Sequence, residues 1–326
     1  MRVSVNEIRD ASREALTNAG AIPWIAESVA DAVAHSEAHG NVICGLYYLE
    51  SYCLQLRSGR VKGDVEPEVS QPTPGAVLAD ARFGFAQPAF ARGLPVALET
   101  VQTQGIALFS VAHAHTCTSL GSFTEQIARA GCIAIGVTNA SAIVAPPGGA
   151  RRTLGTNPFA FSVPGPDGLA LHYDSSTSAV ALGKITMAKA AGESIPEGWA
   201  VDANGQPTTD PEEALKGSLV SAAGYKGWGL GLLVEVLASA LTGSVSSRDV
   251  VGLKVAEGKP HDLGQTYILV RTDVFAADFA DKLADLQEAV AADAGARLPG
   301  ASREAMSEVD VPDALWELTL SLAAQA

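Results

Sequence analysis

The stretch IALFSVAHAHTCTSLGSFTEQIARAGCIAIGVT, residues 106–138, decides the fold class. Its apolar runs 106–112 and 132–138 are rich in Val, Ile and Phe, which indicates two strands. Between them, the polar loop 113–122 leads into a helical pattern over 123–130. This order of strand, helix and strand predicts an α/β fold.

The loop 113–122 lacks the G-x-G-x-x-G fingerprint of a Rossmann dinucleotide site. It ends at the amino end of a helix, where unpaired N–H groups and the helix dipole favour an anion such as a phosphate. An ordinary polar turn between a strand and a helix is the alternative interpretation. A Rossmann site is therefore not predicted, and both interpretations of the loop stay open.

Apolar periodicity outside this stretch predicts the remaining elements. Further strands are predicted at 159–163, 169–174 and 267–270, and helices at 5–19, 25–33, 46–56, 95–103, 180–191, 225–242 and 275–290. Thr177 or Ser178 is the expected cap of the helix at 180–191, and Asp273 is that of the last helix. The helix at 225–242 is apolar except for Glu235, so we expect it to lie in the core.

The composition excludes several classes of protein. Hydrophobic residues make up 47% of the 326, too many for a disordered chain. The 36 acidic and 22 basic residues leave a net charge of −14, which argues against nucleic acid as a partner. The longest apolar run, Leu230–Leu241, is too short to span a membrane. The charged residues near the amino end do not fit the apolar core of a signal peptide, so the chain is expected to be cytoplasmic. The expected partner is a small molecule.

The four cysteines, Cys44, Cys53, Cys117 and Cys132, form no C-x-x-C pair. Most are expected to be packed thiols, and no metal site is predicted. The proline-punctuated segment 63–74 is predicted to be a connector, with a boundary near residue 78.

Seven segments together resemble the type-2 malate/L-lactate dehydrogenase family, which includes ureidoglycolate dehydrogenase, sulfolactate dehydrogenase and Δ1-piperideine-2-carboxylate reductase. The segments are Ala145–Gly149, Gly155–Pro158, Asp174–Ile185, Pro196–Asp202, Thr208–Pro211, Gly224–Gly227 and Arg297–Gly300. Any one of these loops fits an ordinary turn. Their common order and spacing make the resemblance specific.

The resemblance implies an NADPH- or NADH-dependent oxidoreductase, a homodimer with a non-Rossmann, mixed-sheet α/β fold. It implies a helical domain from both termini, residues 1–78 plus 272–326, and a cofactor-binding α/β domain, residues 79–271. Thr156 would face the substrate. The implied cofactor contacts are Ser119, Ser141, Asp174, Ser175, Ser176, Lys226 and Arg297.

The catalytic positions depart from the family pattern. Family members carry Ser-His-Gly followed by Arg, with the histidine as proton donor and the arginine binding a substrate carboxylate, where this chain has Ile43-Cys44-Gly45 and Tyr48. A second family histidine falls on Thr116, and His115 is displaced from it by one residue. The aspartate that orients the donor in the imine-reducing branch matches Asp202.

These departures favour an imine substrate. Reduction of a carbonyl places negative charge on oxygen, so that a positioned acid contributes about 10²–10⁴-fold. A protonated imine already carries its proton and needs no acid in the hydride step. The sequence therefore predicts an NAD(P)H-dependent reductase of a C=N bond, in a cyclic imine that need not bear a carboxylate.

Two alternatives remain open. One is a 2-oxo acid or 2-hydroxy acid dehydrogenase with a relocated proton donor. The other is a catalytically silent homologue that still binds the cofactor. Candidates for relocated groups are His115 or His39 as acid, Tyr47 or Tyr48 as phenolic donor, and Arg151 or Arg152 as carboxylate partner.

Overall fold

The computed structural model describes residues 1–116, 118–166, 168–300 and 304–325. Within these ranges, seven strands form one mixed sheet in the spatial order β2-β3-β4-β11-β5-β6-β7. They are β2 (Glu68–Thr73), β3 (Ala76–Asp80), β4 (Ile106–Ala114), β5 (Cys132–Thr138), β6 (Phe159–Gly165), β7 (Gly168–Ser175) and β11 (Leu263–Arg271). Of the neighbouring pairs, β3 and β4 are parallel and the others antiparallel. This confirms the non-Rossmann, mixed-sheet α/β fold.

The remaining elements are helices and two small sheets. The helices are α1 (Val5–Asn18), α2 (Pro23–Ala38), α3 (Leu49–Arg57), α4 (Ala86–Gln104), α5 (Gly121–Arg129), α6 (Leu182–Ala191), α7 (Pro211–Lys216), α8 (Tyr225–Glu235), α9 (Phe279–Ala291) and α10 (Asp313–Ala323). The short strands are β1 (Arg2–Ser4), β8 (Ala200–Val201), β9 (Pro207–Thr208), β10 (Ser218–Leu219) and β12 (Glu308–Asp310). β1 pairs with β12, and β8 lies between β9 and β10.

The apolar residues pack into three clusters. The first joins α1, α2 and α3 to the carboxyl-terminal segment through residues such as Leu16 and Trp316. The second lies between the large sheet and helices α4 and α5, around Phe90 and Phe109. The third is a small core around Leu154 that sequence periodicity did not separate from the second.

The stretch that sets the fold behaves as predicted in all but one respect. The strand at 132–138 and the helix that precedes it are confirmed as β5 and α5. However, β4 and β5 are not neighbours, because β11 lies between them and is antiparallel to both. The local sequence could not indicate this, since β11 arrives from a segment more than one hundred residues further on.

Several local predictions are wrong. The segment predicted as a connector, residues 63–74, contains β2, which pairs with β3 at the sheet edge, and residue 78 lies inside β3. Helix α4 starts nine residues before Pro95 and carries this proline in its interior. Neither Thr177 nor Ser178 caps α6, because their hydroxyls donate to the carbonyls of Thr156 and Val180. The proposed division into two domains stays a prediction.

The helices predicted at 225–242 and 275–290 also differ from their predictions. In α8, Tyr225 is 79% exposed and Leu233 is 52% exposed, so this helix does not lie in the core of the single chain. Asp273 does not cap the helix predicted at 275–290, since it pairs with Arg271 and that helix, α9, begins only at Phe279. None of the described helices is long and apolar enough to cross a membrane.

Candidate active site

One cleft of about 1050 Å³ collects most of the predicted site residues. It lies where the ends of β5 and β7 face the segment between α2 and α3. The predicted residues that line it are Cys44, Tyr48, Thr116, Ser119, Ser141, Thr156, Asp174, Ser175 and Ser176. We call Ser119, Ser141, Thr156 and residues 174–176 the polar wall. We call residues 41–48, which include two short 3-10 helices, Val42–Cys44 and Leu46–Tyr48, the helical wall.

Asp174 organises the polar wall. Its Oδ2 accepts hydrogen bonds from the Gly121 backbone N–H at 2.7 Å and from the Ser119 hydroxyl at 3.0 Å. A Cβ at Gly121 would lie 2.9 Å from Asp174 Cβ, so a glycine is required for this approach. The anion at the amino end of α5 is therefore a carboxylate of the protein, and the phosphate considered from sequence would have to displace it.

The loop that carries Thr156 is held by a buried polar network. Asn157, with a positive φ of 37°, donates from Nδ2 to Glu235 Oε2 at 2.8 Å. Glu235 also accepts the Ser247 backbone N–H at 2.7 Å. Glu235, the acidic residue of the apolar helix α8, therefore holds the Gly155–Pro158 loop in place. This contact accounts for both the acidic residue in the helix and the asparagine in the loop.

The helical wall is shaped by a buried carboxyl group. Glu37 Oε1 accepts the Leu46 backbone N–H at 2.8 Å, and Glu37 occupies the space where a side chain at residue 45 would stand. Burial, followed by the nearby charge of Asp174, raises the pKa of the Cys44 thiol to about 12. Burial also raises the pKa of Tyr48. Both groups are therefore neutral and weakly acidic at neutral pH, and Cys44 is not a thiolate nucleophile.

Four predicted residues lie away from the cleft lining. His115 is 2% exposed, its Nε2 lies 2.6 Å from Gln55 Oε1, and burial lowers its pKa well below 6.5, so it is no acid at neutral pH. Asp202 sits in a turn, where its Oδ1 accepts the N–H groups of Asn204 and Gln206 at 2.8 and 2.9 Å. Lys226 and Arg297 are exposed on the surface of the single chain.

Three histidines that the motifs did not place at the site also line the cleft, namely His39, His172 and His261. Of these, only His39 is a candidate from sequence, as a relocated acid. His261 is 2% exposed and stacks on His115 with ring centroids 4.4 Å apart. Burial, then the Arg60 guanidinium, lowers the pKa of His261 to about 4. No motif marks His172, which lies on β7, or His261, which lies just before β11; each faces the cleft only because of the tertiary fold.

The other relocated groups are engaged elsewhere. Tyr47 Oη lies 2.6 Å from Lys254 Nζ, and the Lys254 ammonium lies 3.9 Å from the centroid of the Tyr47 ring. Arg152 donates to the carbonyls of Gly217 and Leu215 at 2.8 and 2.7 Å. Arg152 therefore stabilises the third cluster, the small core around Leu154, and Arg151 is exposed outside the cleft.

Comparison with known proteins agrees with this fold. A model of the malate/L-lactate dehydrogenase family matches residues 3–317. The chain is 36% identical to the (2R)-3-sulfolactate dehydrogenase (NADP(+)) of Chromohalobacter salexigens over 96% of its own length and 95% of that protein. It is 35% identical to the Δ1-pyrroline-2-carboxylate reductase of Ancylobacter novellus, over 97% and 96%.

A solved structure has the same fold over the whole chain. The crystal structure of Δ1-piperideine-2-carboxylate reductase from Pseudomonas syringae pvar. tomato superposes with a TM-score of 0.91 at 29% identity, covering 99% of both chains. The resemblance predicted from the seven segments is thereby confirmed. The protein belongs to the malate/L-lactate dehydrogenase family.

Proposed function

We propose that this protein is an NAD(P)H-dependent reductase of a C=N bond, with a cyclic imine as its substrate. The observation that carries the proposal is the contrast between the two walls of the cleft. The polar wall keeps its hydroxyls and the Asp174 carboxylate, whereas the helical wall presents Cys44 and Tyr48, whose raised pKa values make them poor acids. The Δ1-pyrroline ring in the name of the Ancylobacter relative is a cyclic imine.

The residues present fit a nicotinamide cofactor. The cleft volume of about 1050 Å³ exceeds that of most small-ligand pockets, and the hydroxyls of Ser141, Ser175 and Ser176 can bond a ribose or a carboxamide. A reduced nicotinamide supplies the hydride when bound. The assignment of Lys226 and Arg297 as contacts of the cofactor phosphates stays a proposal, because neither residue lines the cleft of the single chain. The cleft favours neither NADH nor NADPH.

The protein's own contribution to an imine reduction is binding and electrostatics. A protonated imine receives hydride at carbon, and its nitrogen keeps the proton, so no proton has to be delivered in that step. Asp174 is close enough for its charge to raise the pKa of Cys44 across the cleft. The same negative charge would stabilise an iminium cation held between the two walls.

One observation favours the 2-oxo acid or 2-hydroxy acid dehydrogenase as the second candidate. The Chromohalobacter relative is named a sulfolactate dehydrogenase, and His39 lines the cleft, where it could serve as acid. The intact hydrogen bonds of Asp174 and Asn157 argue against a catalytically silent homologue, since both hold loops that face the cleft.

We also propose a homodimer that uses the outer face of α8. Tyr225 and Leu233 of α8, and Val236 directly after it, are 79%, 52% and 55% exposed, and exposed apolar surface of this kind marks an interface. A Leu233→Glu variant should sediment as a monomer while the wild type sediments as a dimer. A monomeric wild type would contradict the assignment. A cytoplasmic location stays a prediction.

The function is tested by NADH and NADPH oxidation against a panel of substrates. The panel contains Δ1-pyrroline-2-carboxylate, Δ1-piperideine-2-carboxylate, an unsubstituted cyclic imine, pyruvate and oxaloacetate. We expect the highest kcat/KM with a cyclic imine, and measurable turnover without the carboxylate because Tyr48 stands at the arginine position. Faster turnover of either 2-oxo acid would favour the second candidate. Absence of saturable cofactor binding by the folded protein would contradict both.

A further inference from the structure

A cluster of metal-binding side chains lies at the edge of the cleft, although the sequence predicts no metal site. His35 lies in the last turn of α2, and His39, four residues later on the same face, caps the end of this helix. Glu125 reaches both from α5. One ligand atom from each residue lies within 4.8 Å of the others. His35 Nε2 is 3.2 Å from Glu125 Oε2, close to the spacing of two ligands on one small cation.

Surrounding hydrogen bonds orient two of the three side chains. His39 Nδ1 lies 2.8 Å from the His35 carbonyl, so this nitrogen carries the proton and Nε2 presents a lone pair. Arg129 Nε and Nη2 both donate to Glu125 Oε1, at 2.9 and 2.8 Å, and leave Oε2 for another partner. Among the described residues, nothing bonds the buried Nδ1 of His35.

The local charges suit a cation. The carboxyl end of α2 presents the negative end of a helix dipole to both histidines. The side chain of Glu125 is 8% exposed, and its carboxyl group is held by His35 at 3.2 Å and by Arg129 at 2.8 Å. The Arg129 guanidinium weakens the attraction, but its side chain is 59% exposed and screened by water.

There is also room for a cation and its waters. A small pocket of about 160 Å³ is lined by His39, Glu125 and Arg129, and by His172 from the sheet. This pocket adjoins the main cleft, because His39 and His172 line both.

We propose that His35, His39 and Glu125 bind one divalent transition-metal ion of the Zn²⁺ type between α2 and α5. Two imidazoles and one carboxylate are a donor set that zinc accepts, with a water in the fourth position. Because α2 packs in the first core and α5 in the second, the ion joins the helical region to the sheet. The proposal does not depend on the substrate of the main cleft.

The test is a titration of chelator-treated protein with Co²⁺, followed by its visible absorption bands, and then by competition with Zn²⁺. We expect saturation at one Co²⁺ per chain, displacement by Zn²⁺, and a rise in Tm when Zn²⁺ is bound. His39→Ala and Glu125→Gln should each weaken Co²⁺ binding by at least about tenfold. His113→Ala is the matched control, since His113 pairs with a carboxylate, Asp262, at 2.7 Å elsewhere in the chain. It should bind like the wild type.

Two results would overturn the proposal. One is the absence of saturable Co²⁺ and Zn²⁺ binding by folded wild-type protein. The other is wild-type affinity in both His39→Ala and Glu125→Gln, which would place the ion at another site. Because the readout is metal binding and not turnover, failure of the imine reductase proposal would leave this result unaffected.

Discussion

The two walls of the cleft differ in what they preserve. The polar wall is a closed network, in which Asp174 caps α5 and Asn157 ties the Thr156 loop to Glu235. The helical wall has the backbone support of the Glu37 hydrogen bond, yet it presents Cys44 and Tyr48 where the resemblance places a histidine and an arginine. On the proposed function, the polar wall serves cofactor binding, whereas the helical wall lacks the groups that would transfer a proton.

The largest change in substrate preference is expected when a histidine is placed on the helical wall. Cys44→His should raise kcat/KM for pyruvate at least about tenfold, because a positioned acid typically contributes 10²–10⁴-fold. Turnover of a cyclic imine should change by less than about threefold, since that step needs no acid. Steady-state kinetics with both substrates measure this. Cys44→Ala is the control at the same position, and an equal response of both substrates would mean that the wall does not select between them.

The polar wall is tested by removing its central carboxylate. Asp174→Ala leaves the Gly121 N–H and the Ser119 hydroxyl without their acceptor, so we expect the Kd of NADPH to rise about 10- to 100-fold. Quenching of protein fluorescence measures the Kd, and circular dichroism verifies the fold. Asp273→Ala removes an exposed carboxylate paired with Arg271 and should leave the Kd unchanged. Equal Kd values for Asp174→Ala and the wild type would remove Asp174 from the cofactor site.

The stacked pair His115 and His261 should make stability depend on pH. Burial lowers the pKa of His261 from 6.5 to about 4. The unfolded chain therefore binds a proton at this residue before the folded chain does, and stability falls as the pH falls from about 6.5 to about 4. The loss from His261 is about 3 kcal/mol.

Urea unfolding at a series of pH values measures this effect. His261→Phe keeps a ring against His115 and should flatten the profile between pH 6.5 and 4, with the contribution of His115 remaining. An unchanged profile in the variant would mean that His261 is not held neutral in the folded chain.

The smallest effects should come from two residues that the motifs mark as catalytic. Cys44→Ala should change kcat/KM for an imine by less than about threefold, because the thiol is no acid at neutral pH. Asp202→Asn should be similarly silent, since an asparagine oxygen can still accept the N–H groups of Asn204 and Gln206. A loss of more than about 10²-fold in either variant would restore that residue as a catalytic group.

The sequence predicted the fold well where the signal was local. The strand at 132–138 and the polar residues of the cleft follow from short apolar runs and from segments with a specific order. The prediction for α8 was wrong because an apolar helix looks the same whether it is covered by its own chain or by another surface. The insertion of β11 between β4 and β5 was missed because register over long separations has no local pattern.

The site was predictable to the same extent. Motif positions led to Asp174 and Thr156, which lie in recognisable loops of small residues. They also led to His115, which is buried and does not line the cleft. Sequence position does not show whether a side chain at the end of a strand points into the cleft or into the core. His261 and the pairing of His35 with Glu125 depend on tertiary contacts alone, so no sequence signal could have indicated them.

The central claim is that hydride transfer proceeds without an acid from the protein. It is tested most directly by the pH profile of kcat/KM for two cyclic imines of different basicity. If the substrate brings its own proton, each profile falls above the pKa of its own iminium ion, and the break moves with the substrate. A break that stays at one pH for both imines would reveal an acid on the enzyme and would contradict the account.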